Sequence, residues 1–364
     1  MTAINAPVTF FLGANTPAGF VGFADELYSV ADGWQVYLIK GGAGTGKSSL
    51  MKTIYRRLLP LEGEAILCSS DPSSLDGLIY PTLKYAILDA TAPHVLEPRC
   101  WGAVEQIVPL SWCVDETAMR PLAGEILAAT AENREAHQHC CRYLRAASAL
   151  LRENRRLGEA ALDREKVARL AARIAKREFE GASGEGRITH RFLSAVTPQG
   201  HLVLTETLQA LCPRIYTIED EQGAAARYLL AELEKHARAA GLDGYACPCP
   251  LSPDSGAEHL LFPSIGVGFT TSNAFHKADF PVYRRIHASR FCTGDAANAK
   301  RQLQSFNRRA ARELLQQACK MSAQAKSAHD CMEAYSIAAM DWERATEMGE
   351  RVVQVFEAAA RRHC

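Results

Sequence analysis

The sequence predicts an α/β protein made of two similar domains, each with a parallel sheet and a helical hairpin arm. Three observations lead to this prediction. Short apolar segments alternate with segments of helical period, a nine-residue segment recurs about half a chain later, and long stretches of helical period close each half. The chain has 364 residues, more than one ordinary domain of ~100 to 200 residues holds.

The repeat organises the chain. Residues 11–19, FLGANTPAG, match residues 192–200, FLSAVTPQG, at six of nine positions. Further matches follow in the same order: Val36–Ile39 with Ile215–Ile218, Cys68 with Cys249, and His94 with His276. Residues 180–186, EGASGEG, have the composition of a flexible linker. We therefore predict homologous domains at residues 1–185 and 186–364.

Local patterns predict the elements of the first domain. Thr16 followed by Pro17 is typical of a helix N-terminus and predicts a helix over about 17–31. Apolar segments predict three strands, at Val36–Ile39, Ala65–Cys68 and Tyr85–Leu88. A glycine-rich turn after the first of these strands predicts a helix over about 46–58. Helical period then predicts arms over about 121–180, with a break at Gly158, and over about 293–364.

A glycine-rich loop connects the first strand of this series to the helix. Residues 41–48, GGAGTGKS, satisfy the pattern GxxxxGK[ST] in that structural context. Glycines let successive backbone N–H groups turn toward phosphate oxygens, and the helix N-terminus adds partial positive charge. The pattern predicts a P-loop NTPase-like domain. Its expected ATP contacts are Gly41, Gly42, Ala43, Gly44, Thr45, Gly46, Lys47, Ser48 and Ser49.

Three side chains are candidates for catalysis and metal binding. We expect Lys47 to reach the β- and γ-phosphates and Ser48 to give its hydroxyl to Mg²⁺. Asp89 directly follows the strand Tyr85–Leu88, and an aspartate at the end of an apolar strand is the expected second protein ligand of Mg²⁺. The alternative is that Asp89 forms the turn after the strand. Its position in the sequence leaves both interpretations open.

Polar residues after the second strand are further candidates. The segment 68–76, CSSDPSSLD, lies where loops of open α/β sheets carry ligands. It offers substrate, metal-water or base groups, although the same composition is typical of turns and caps. The candidates are Ser69, Ser70, Asp71 and Asp76. His94 is matched by His276 in the other half, so a structural role is at least as well supported as a catalytic one.

The second half has lost the phosphate-binding loop. Residues 219–227, EDEQGAAAR, stand where residues 40–48 stand, so that Ala226 replaces Lys47 and Arg227 replaces Ser48. The missing donors and the added acidic residues disfavour nucleotide binding. Thr271 takes the place of Asp89. We interpret this half as a degenerate, pseudo-NTPase domain.

Charge and cysteine usage restrict the function classes. Lys plus Arg and Asp plus Glu both number 41, so no net field attracts nucleic acid or lipid. Arg142–Arg177 nevertheless carries 11 basic against 4 acidic residues, which suits a phosphate backbone or, alternatively, a solvated helix face. The twelve cysteines include no CxxC pair, and Cys247-Pro-Cys249 is not a zinc pattern. The chain contains no apolar run of 18 residues and no secretory signal, so we expect a cytoplasmic protein without a membrane partner.

Five segments resemble a poorly characterised family of bacterial tandem P-loop ATPases, and the resemblance extends over nearly the whole chain. The segments are GANTPAGF, GGAGTGKSS, CSSDPSSLDG, ILDATAPH and FLSAVTPQG. In that family both halves commonly carry a P-loop, so the resemblance implies ATP binding at residues 41–49, whereas Ala226 and Arg227 depart from the pattern.

We therefore expect an ATP-binding protein, a slow ATPase with ATP and Mg²⁺ as cofactors. Lys47 and Asp89 are the expected catalytic residues, and Ser48 and Asp89 the expected Mg²⁺ ligands. One alternative is a nucleotide or small-molecule kinase. Another is a nucleic-acid-dependent ATPase that uses the basic arm. The sequence predicts neither a macromolecular partner nor an oligomeric state.

Overall fold

The computed structural model describes residues 6, 8–93, 95–181, 184–292 and 300–363. Within these residues the protein is an α/β protein with two six-stranded sheets. Each sheet combines parallel and antiparallel strands, so the α/β class is confirmed and the expectation of purely parallel sheets is wrong. Among the described helices, none is long and apolar enough to cross a membrane.

The first sheet surrounds the strand that precedes the glycine-rich loop. Its strands are β1 (Thr9–Phe10), β4 (Gln35–Lys40), β5 (Glu64–Leu67), β6 (Leu75–Tyr80), β7 (Tyr85–Asp89) and β8 (Glu105–Pro109). Their order is β1-β5-β6-β7-β4-β8. β6 is antiparallel to β5 and β7, whereas the other pairs are parallel. The connections from β5 to β6 and from β6 to β7 are short, and a parallel pair would require a longer crossover, so β6 is antiparallel to both neighbours.

The second sheet repeats this topology strand for strand. It contains β9 (Ile188–His190), β12 (Arg214–Glu219), β13 (Gly244–Pro248), β14 (Ala257–Phe262), β15 (Val267–Ser272) and β16 (Arg284–His287), in the order β9-β13-β14-β15-β12-β16. β14 is the strand that is antiparallel to both neighbours. The register pairs Ile39 with Asp89 in the first sheet and Ile218 with Thr271 in the second. Thr271 therefore occupies the position of Asp89, as the sequence comparison predicted.

The recurring FLxAxTPxG segment forms a β-hairpin in each half. The hairpins are β2 (Gly13–Thr16) with β3 (Gly19–Gly22), and β10 (Ser194–Thr197) with β11 (Gly200–Val203). The predicted helix over 17–31 is wrong. Oγ1 of Thr16 accepts from the N–H of Ala18 at 3.2 Å and donates to the carbonyl of Gly19 at 2.7 Å, which closes a turn instead of capping a helix.

Helices connect or follow the strands of both sheets. They are α1 (Lys47–Arg57), α2 (Glu116–Met119), α3 (Ala123–Glu159), α4 (Arg164–Glu178), α5 (Thr205–Leu211), α6 (Ala224–Ala239), α7 (Arg301–Ala338) and α8 (Trp342–His363). The segment predicted as helical over 121–180 contains α3 and α4, and the break follows Glu159, so that Gly158, where we predicted it, lies within α3. The arm predicted over 293–364 corresponds to α7 and α8, although residues 293–299 lie outside the described residues.

The described part of the chain folds into two compact units, and each is discontinuous in sequence. The first unit comprises the described residues of Met1–Gly13, Gly22–His139 and Lys320–Cys364. The second comprises those of Ala14–Val21 and Cys140–Cys319. The boundary between the units thus falls within α3 and α7, whereas the sequence comparison placed a continuous boundary near residue 185.

Each unit is completed by a helix from the opposite half of the sequence. In the first unit, α8 packs against α1, and Val353 and Phe356 share a core with Met51 and Ile54. In the second unit, α4 packs against α6, and its apolar face lies in the core of that unit. Burial of these apolar faces explains why each helix packs with the opposite half of the sequence, because an amphipathic helix is stabilised mainly by the surface that its apolar stripe covers.

Candidate phosphate-binding site

The glycine-rich loop connects β4 to α1 in the first unit, as predicted. The backbone is left-handed at Gly44, with φ of 75°, and at Gly46, with φ of 86°. A β-carbon on Gly41 would collide with Oγ1 of Thr45, whose hydroxyl donates to the carbonyl of Gly42 at 2.9 Å. The backbone path of the loop therefore requires glycine at these three positions.

Gly42 is different from these three glycines. Among the residues that the structure describes, no atom lies within 4 Å of the place where a β-carbon on Gly42 would stand. Its φ is not positive, so neither packing nor backbone strain explains a glycine there. An open surface over a loop backbone lets a ligand approach closely.

Lys47 begins α1 and folds back over the loop. Its Nζ donates to the carbonyl of Gly41 at 2.8 Å and to that of Gly42 at 2.6 Å. An ammonium group has three N–H donors, so these two bonds leave one donor for another acceptor. The same Nζ lies 3.7 Å from Oδ2 of Asp89. The structure thus brings together the two residues that we predicted to be catalytic.

Asp89 is the last residue of β7, at the strand end beside the loop. Its Oδ1 accepts from the N–H of Thr91 at 2.9 Å, so Asp89 forms the turn as well as approaching Lys47. Burial raises the pKa of Asp89 above its usual value, while the charge of Lys47 opposes that rise. The hydroxyl of Thr91 donates to the carbonyl of Gly41 at 2.9 Å, which ties this strand end to the loop.

A second carboxylate lies on the strand next to Asp89. Gly77 of β6 pairs with Leu88 of β7, and Asp76 and Asp89 are the adjoining residues of the two strands. The charge of Asp76 contributes to the raised pKa of Asp89. Neighbouring like charges destabilise a strand pair unless a cation compensates them. Oxygen ligands of this kind are those that Mg²⁺ prefers.

Ser48 and the segment after β5 lie next to this pair. Oγ of Ser48 accepts from the N–H of Leu75 at 3.0 Å, which connects the start of α1 to the start of β6. Asp71 accepts from the N–H and the hydroxyl of Ser73 and from the hydroxyl of Ser74. The interpretation of Asp71 as a turn former is therefore confirmed. Ser69 is buried, with 1% of its surface exposed, and Ser70 is half-buried.

The end of α7 and the start of α8 cover part of the loop, which the sequence did not predict. A β-carbon on Gly44 would lie 2.5 Å from the carbonyl oxygen of Glu333 and 3.0 Å from Cγ1 of Ile337. One on Gly46 would lie 3.3 Å from the indole of Trp342. The two left-handed glycines are therefore also needed for close packing of this helical segment on the loop.

In the second unit, the carboxylate of Asp220 occupies the equivalent loop. Residues 220–223 connect β12 to α6, whereas residues 41–46 connect β4 to α1. Asp220 is 6% exposed and accepts from the N–H of Gln222 and from that of Ala226, both at 2.9 Å. Its carboxylate thus satisfies one N–H in the loop and one in the first turn of α6. This contact supports the interpretation of a degenerate loop.

A cavity of about 130 Å³ lies in the second unit, beside this degenerate loop. Its lining includes the arginines Arg152, Arg155 and Arg227 together with His201, Glu258 and His276. Burial lowers the pKa of His201 to about 4, and the neighbouring His276 adds to the shift. This imidazole is therefore neutral at neutral pH. His94, the predicted counterpart of His276, lies outside the described residues.

The basic segment Arg142–Arg177 lies in α3 and α4. Several of its arginines pair with acidic residues one helical turn away: Arg155 with Glu159 at 3.8 Å, Arg156 with Glu153 at 2.8 Å, and Arg169 with Glu165 at 3.3 Å. Such intrahelical pairs are typical of a solvated helix face. They favour the structural alternative over the nucleic-acid hypothesis.

Comparisons with known proteins were made by family model, by sequence and by structure. No protein-family model matches the chain, and neither a curated protein nor a solved structure matches it. The family resemblance noted in the sequence therefore stays a prediction.

Proposed function

We propose that the first unit is a P-loop NTPase-like domain that binds ATP with Mg²⁺ and hydrolyses it slowly. The observation that carries the proposal is the position of Lys47, whose Nζ is held by the carbonyls of Gly41 and Gly42 at 3.7 Å from Asp89. The remaining N–H of that ammonium group is available to a phosphate oxygen. Backbone N–H groups of residues 41–49 would hold the other phosphate oxygens.

The residues at the loop suit a Mg²⁺ ion. Ser48 offers a hydroxyl, and Asp89 offers a carboxylate whose charge burial disfavours until a cation is near. Asp76, on the neighbouring strand β6, adds a second carboxylate that can bind the ion through a water molecule. When bound, Mg²⁺ supplies positive charge against the charge that develops on the transferred phosphoryl group.

We expect slow turnover because the described residues that follow β5 and β7 offer no free group that would activate water. Ala90 follows Asp89, is 1% exposed, and has no group that can orient a water molecule. The carboxylate of Asp71 is already bound by two serines. We therefore assign binding and charge neutralisation to the named residues and assign activation of water to none of them.

The test is ATP binding and turnover by the full chain. Isothermal titration with Mg-ATP should show one site, and Lys47→Ala should abolish it. Lys320→Ala, on the exposed surface of α7, is the matched control and should bind as the wild type does. Equal affinity in the wild type and Lys47→Ala would overturn the site.

The same assay separates the two alternatives. Release of inorganic phosphate without an acceptor supports the ATPase. Transfer of phosphate to one member of a nucleoside and metabolite panel would instead identify a kinase. Stimulation of turnover by DNA or RNA would favour the nucleic-acid-dependent ATPase.

A further inference from the structure

Three histidines and a glutamate meet in the second unit, at the strand ends equivalent to the Asp76 and Asp89 position. Glu258 and His259 lie on β14, His276 follows β15, and His201 lies on β11. His259 pairs with Thr270 in the strand register, and Glu258 and Thr271 are the adjoining residues of the two strands. Oxygen ligands in the first unit are thus matched by an imidazole-rich group in the second.

The side chains are close enough to share one ion. One ligand atom from each of Glu258, His259 and His276 lies within 4.8 Å of the other two. Oε2 of Glu258 is 3.7 Å from Nε2 of His259, and Oε1 is 4.0 Å from Nε2 of His276. The rings of His201 and His276 have their centroids 6.3 Å apart. Bound ligand atoms that are each ~2.0–2.2 Å from a zinc ion are at most ~4.4 Å apart, so small side-chain rotations close the site.

His259 is oriented as a ligand. It is 1% exposed, and its Nδ1 lies 2.7 Å from Oγ1 of Thr270. The proton of that hydroxyl is donated to the carbonyl of Thr271, so Oγ1 accepts the Nδ1 proton of His259. Nε2 then carries a lone pair. A hydrogen bond at one imidazole nitrogen commonly orients the other toward a metal.

Two buried polar atoms here make no hydrogen bond in the described structure. They are Nε2 of His259 and Oε2 of Glu258. Each buried polar atom without a hydrogen bond costs about 1–3 kcal/mol, a cost that a bound ion would offset. Nε2 of His276 meets Oγ1 of Thr271 at 2.9 Å and the carbonyl of Thr271 at 3.1 Å, and its ring must turn for that nitrogen to bind an ion.

We propose that the second unit binds a divalent transition-metal ion of the Zn²⁺ class through Glu258, His259 and His276. Imidazole and carboxylate together suit Zn²⁺ and Co²⁺, whereas Mg²⁺ prefers oxygen ligands alone. Glu258, His276 and His201 line the cavity of the second unit, which gives the ion an entry path. His201 is next to the three ligands and is available as a fourth. This site is separate from the proposed ATP site.

The test uses the full chain after chelator treatment, with Co²⁺ and Zn²⁺ as probes. We expect one Co²⁺ per chain, with visible absorption bands of a four- or five-coordinate ion, and displacement of Co²⁺ by Zn²⁺. His259→Ala and Glu258→Gln should each weaken Zn²⁺ binding by at least ~10-fold. The control His287→Ala removes a histidine whose side chain is 65% exposed, and should bind as the wild type does.

Two further variants test the orientation of His259 and the independence of the metal site from ATP binding. Thr270→Val removes the partner of Nδ1 and leaves every ligand in place, so it should lower the affinity by ~10- to 100-fold and alter the Co²⁺ spectrum. Lys47→Ala should lose ATP binding and keep the metal, which separates the two proposals. Absence of stoichiometric Co²⁺ binding by the wild type, or undiminished binding by a folded His259→Ala variant, would overturn the site.

Discussion

Nζ of Lys47 and Oδ2 of Asp89 lie 3.7 Å apart, and each side chain is only 14% exposed. The ammonium group is fixed by two loop carbonyls, whereas the carboxylate is fixed by the turn after β7. The attraction between them compensates only part of the desolvation of Asp89, because the pKa of this carboxyl group is still raised. The predicted catalytic pair is therefore also a place where stability is lost.

Asp89→Asn should increase stability and decrease ATP turnover. The pKa of Asp89 is raised in the folded protein, so the folded state binds this proton more tightly than the unfolded state does. The contribution of Asp89 to the free energy of unfolding therefore falls as the pH rises through its pKa in the unfolded state and then through its raised pKa in the folded state. Denaturation should be measured for the wild type and Asp89→Asn at about pH 4 and about pH 7. The free energy of unfolding of the variant should exceed that of the wild type by on the order of 1 kcal/mol at the higher pH and by less at the lower. A gain that is equal at both pH values would contradict the assignment.

Gly42→Ala and Gly41→Ala should separate binding from folding. A β-carbon on Gly42 meets no described atom within 4 Å, whereas one on Gly41 collides with Thr45. Gly42→Ala should melt as the wild type does and bind ATP at least ~10-fold more weakly, a loss of about 1.4 kcal/mol. Gly41→Ala should lower the melting temperature. If Gly42→Ala binds ATP normally, phosphates do not approach the loop there.

Asp220→Ala should destabilise the second unit without creating a nucleotide site. The variant removes the acceptor of the N–H of Gln222 in the loop and of the N–H of Ala226 in the first turn of α6, a loss typically of ~1 kcal/mol. Glu221→Ala is the control, because the side chain of Glu221 is 55% exposed. ATP titration against the double variant Lys47→Ala/Asp220→Ala should show no binding. Binding by that variant would mean that the degenerate loop is only blocked by its own carboxylate.

Glu178→Gln tests the helix that the first half of the sequence contributes to the second unit. Glu178 is 1% exposed, accepts from Arg214 at 2.6 Å and from Tyr216 at 2.5 Å, and also binds Arg177. Burial would raise the pKa of Glu178, yet these hydrogen bonds and charges hold it below its usual value. Its stabilisation is therefore present above the unfolded pKa and is lost as the pH falls through the folded one.

The expected loss for Glu178→Gln at neutral pH is about 2–3 kcal/mol, at the low end for a buried pair because both arginines are partly exposed. This loss of stability should diminish in acid. Glu180→Gln, at an exposed position nearby, is the control. ATP affinity should not change, because the first unit does not contain Glu178. Coupled loss of ATP binding and stability would show that the two units unfold together.

Local signals in the sequence predicted the loop and its flanking elements. The Gly41–Lys47 spacing, β4 and α1 are determined within the consecutive residues Gln35–Arg57, so their prediction needed no knowledge of distant contacts. The strand β6 was missed because Asp76 and Gly77 interrupt its apolar pattern. The helix over 17–31 was wrong because the hydroxyl of Thr16 can close a turn as well as cap a helix.

Long-range features could not be predicted in this way. The apolar stripe of α8 indicates that a face is buried, but it does not specify the first unit as the surface that buries it. The histidine cluster is spread from His201 to His276 and has no recognisable ligand spacing. A signal was nevertheless present, since the second half has His259 where the first half has Gly77, a change from no side chain to a metal-binding one.

The packing of α8 has a consequence for synthesis on the ribosome. The core around Met51 and Ile54 is completed by residues of α8, which are translated long after them. A nascent chain released before Trp342 would carry the whole glycine-rich loop and yet leave this core open to water. The proposed ATP site should therefore become functional only after α8 has emerged.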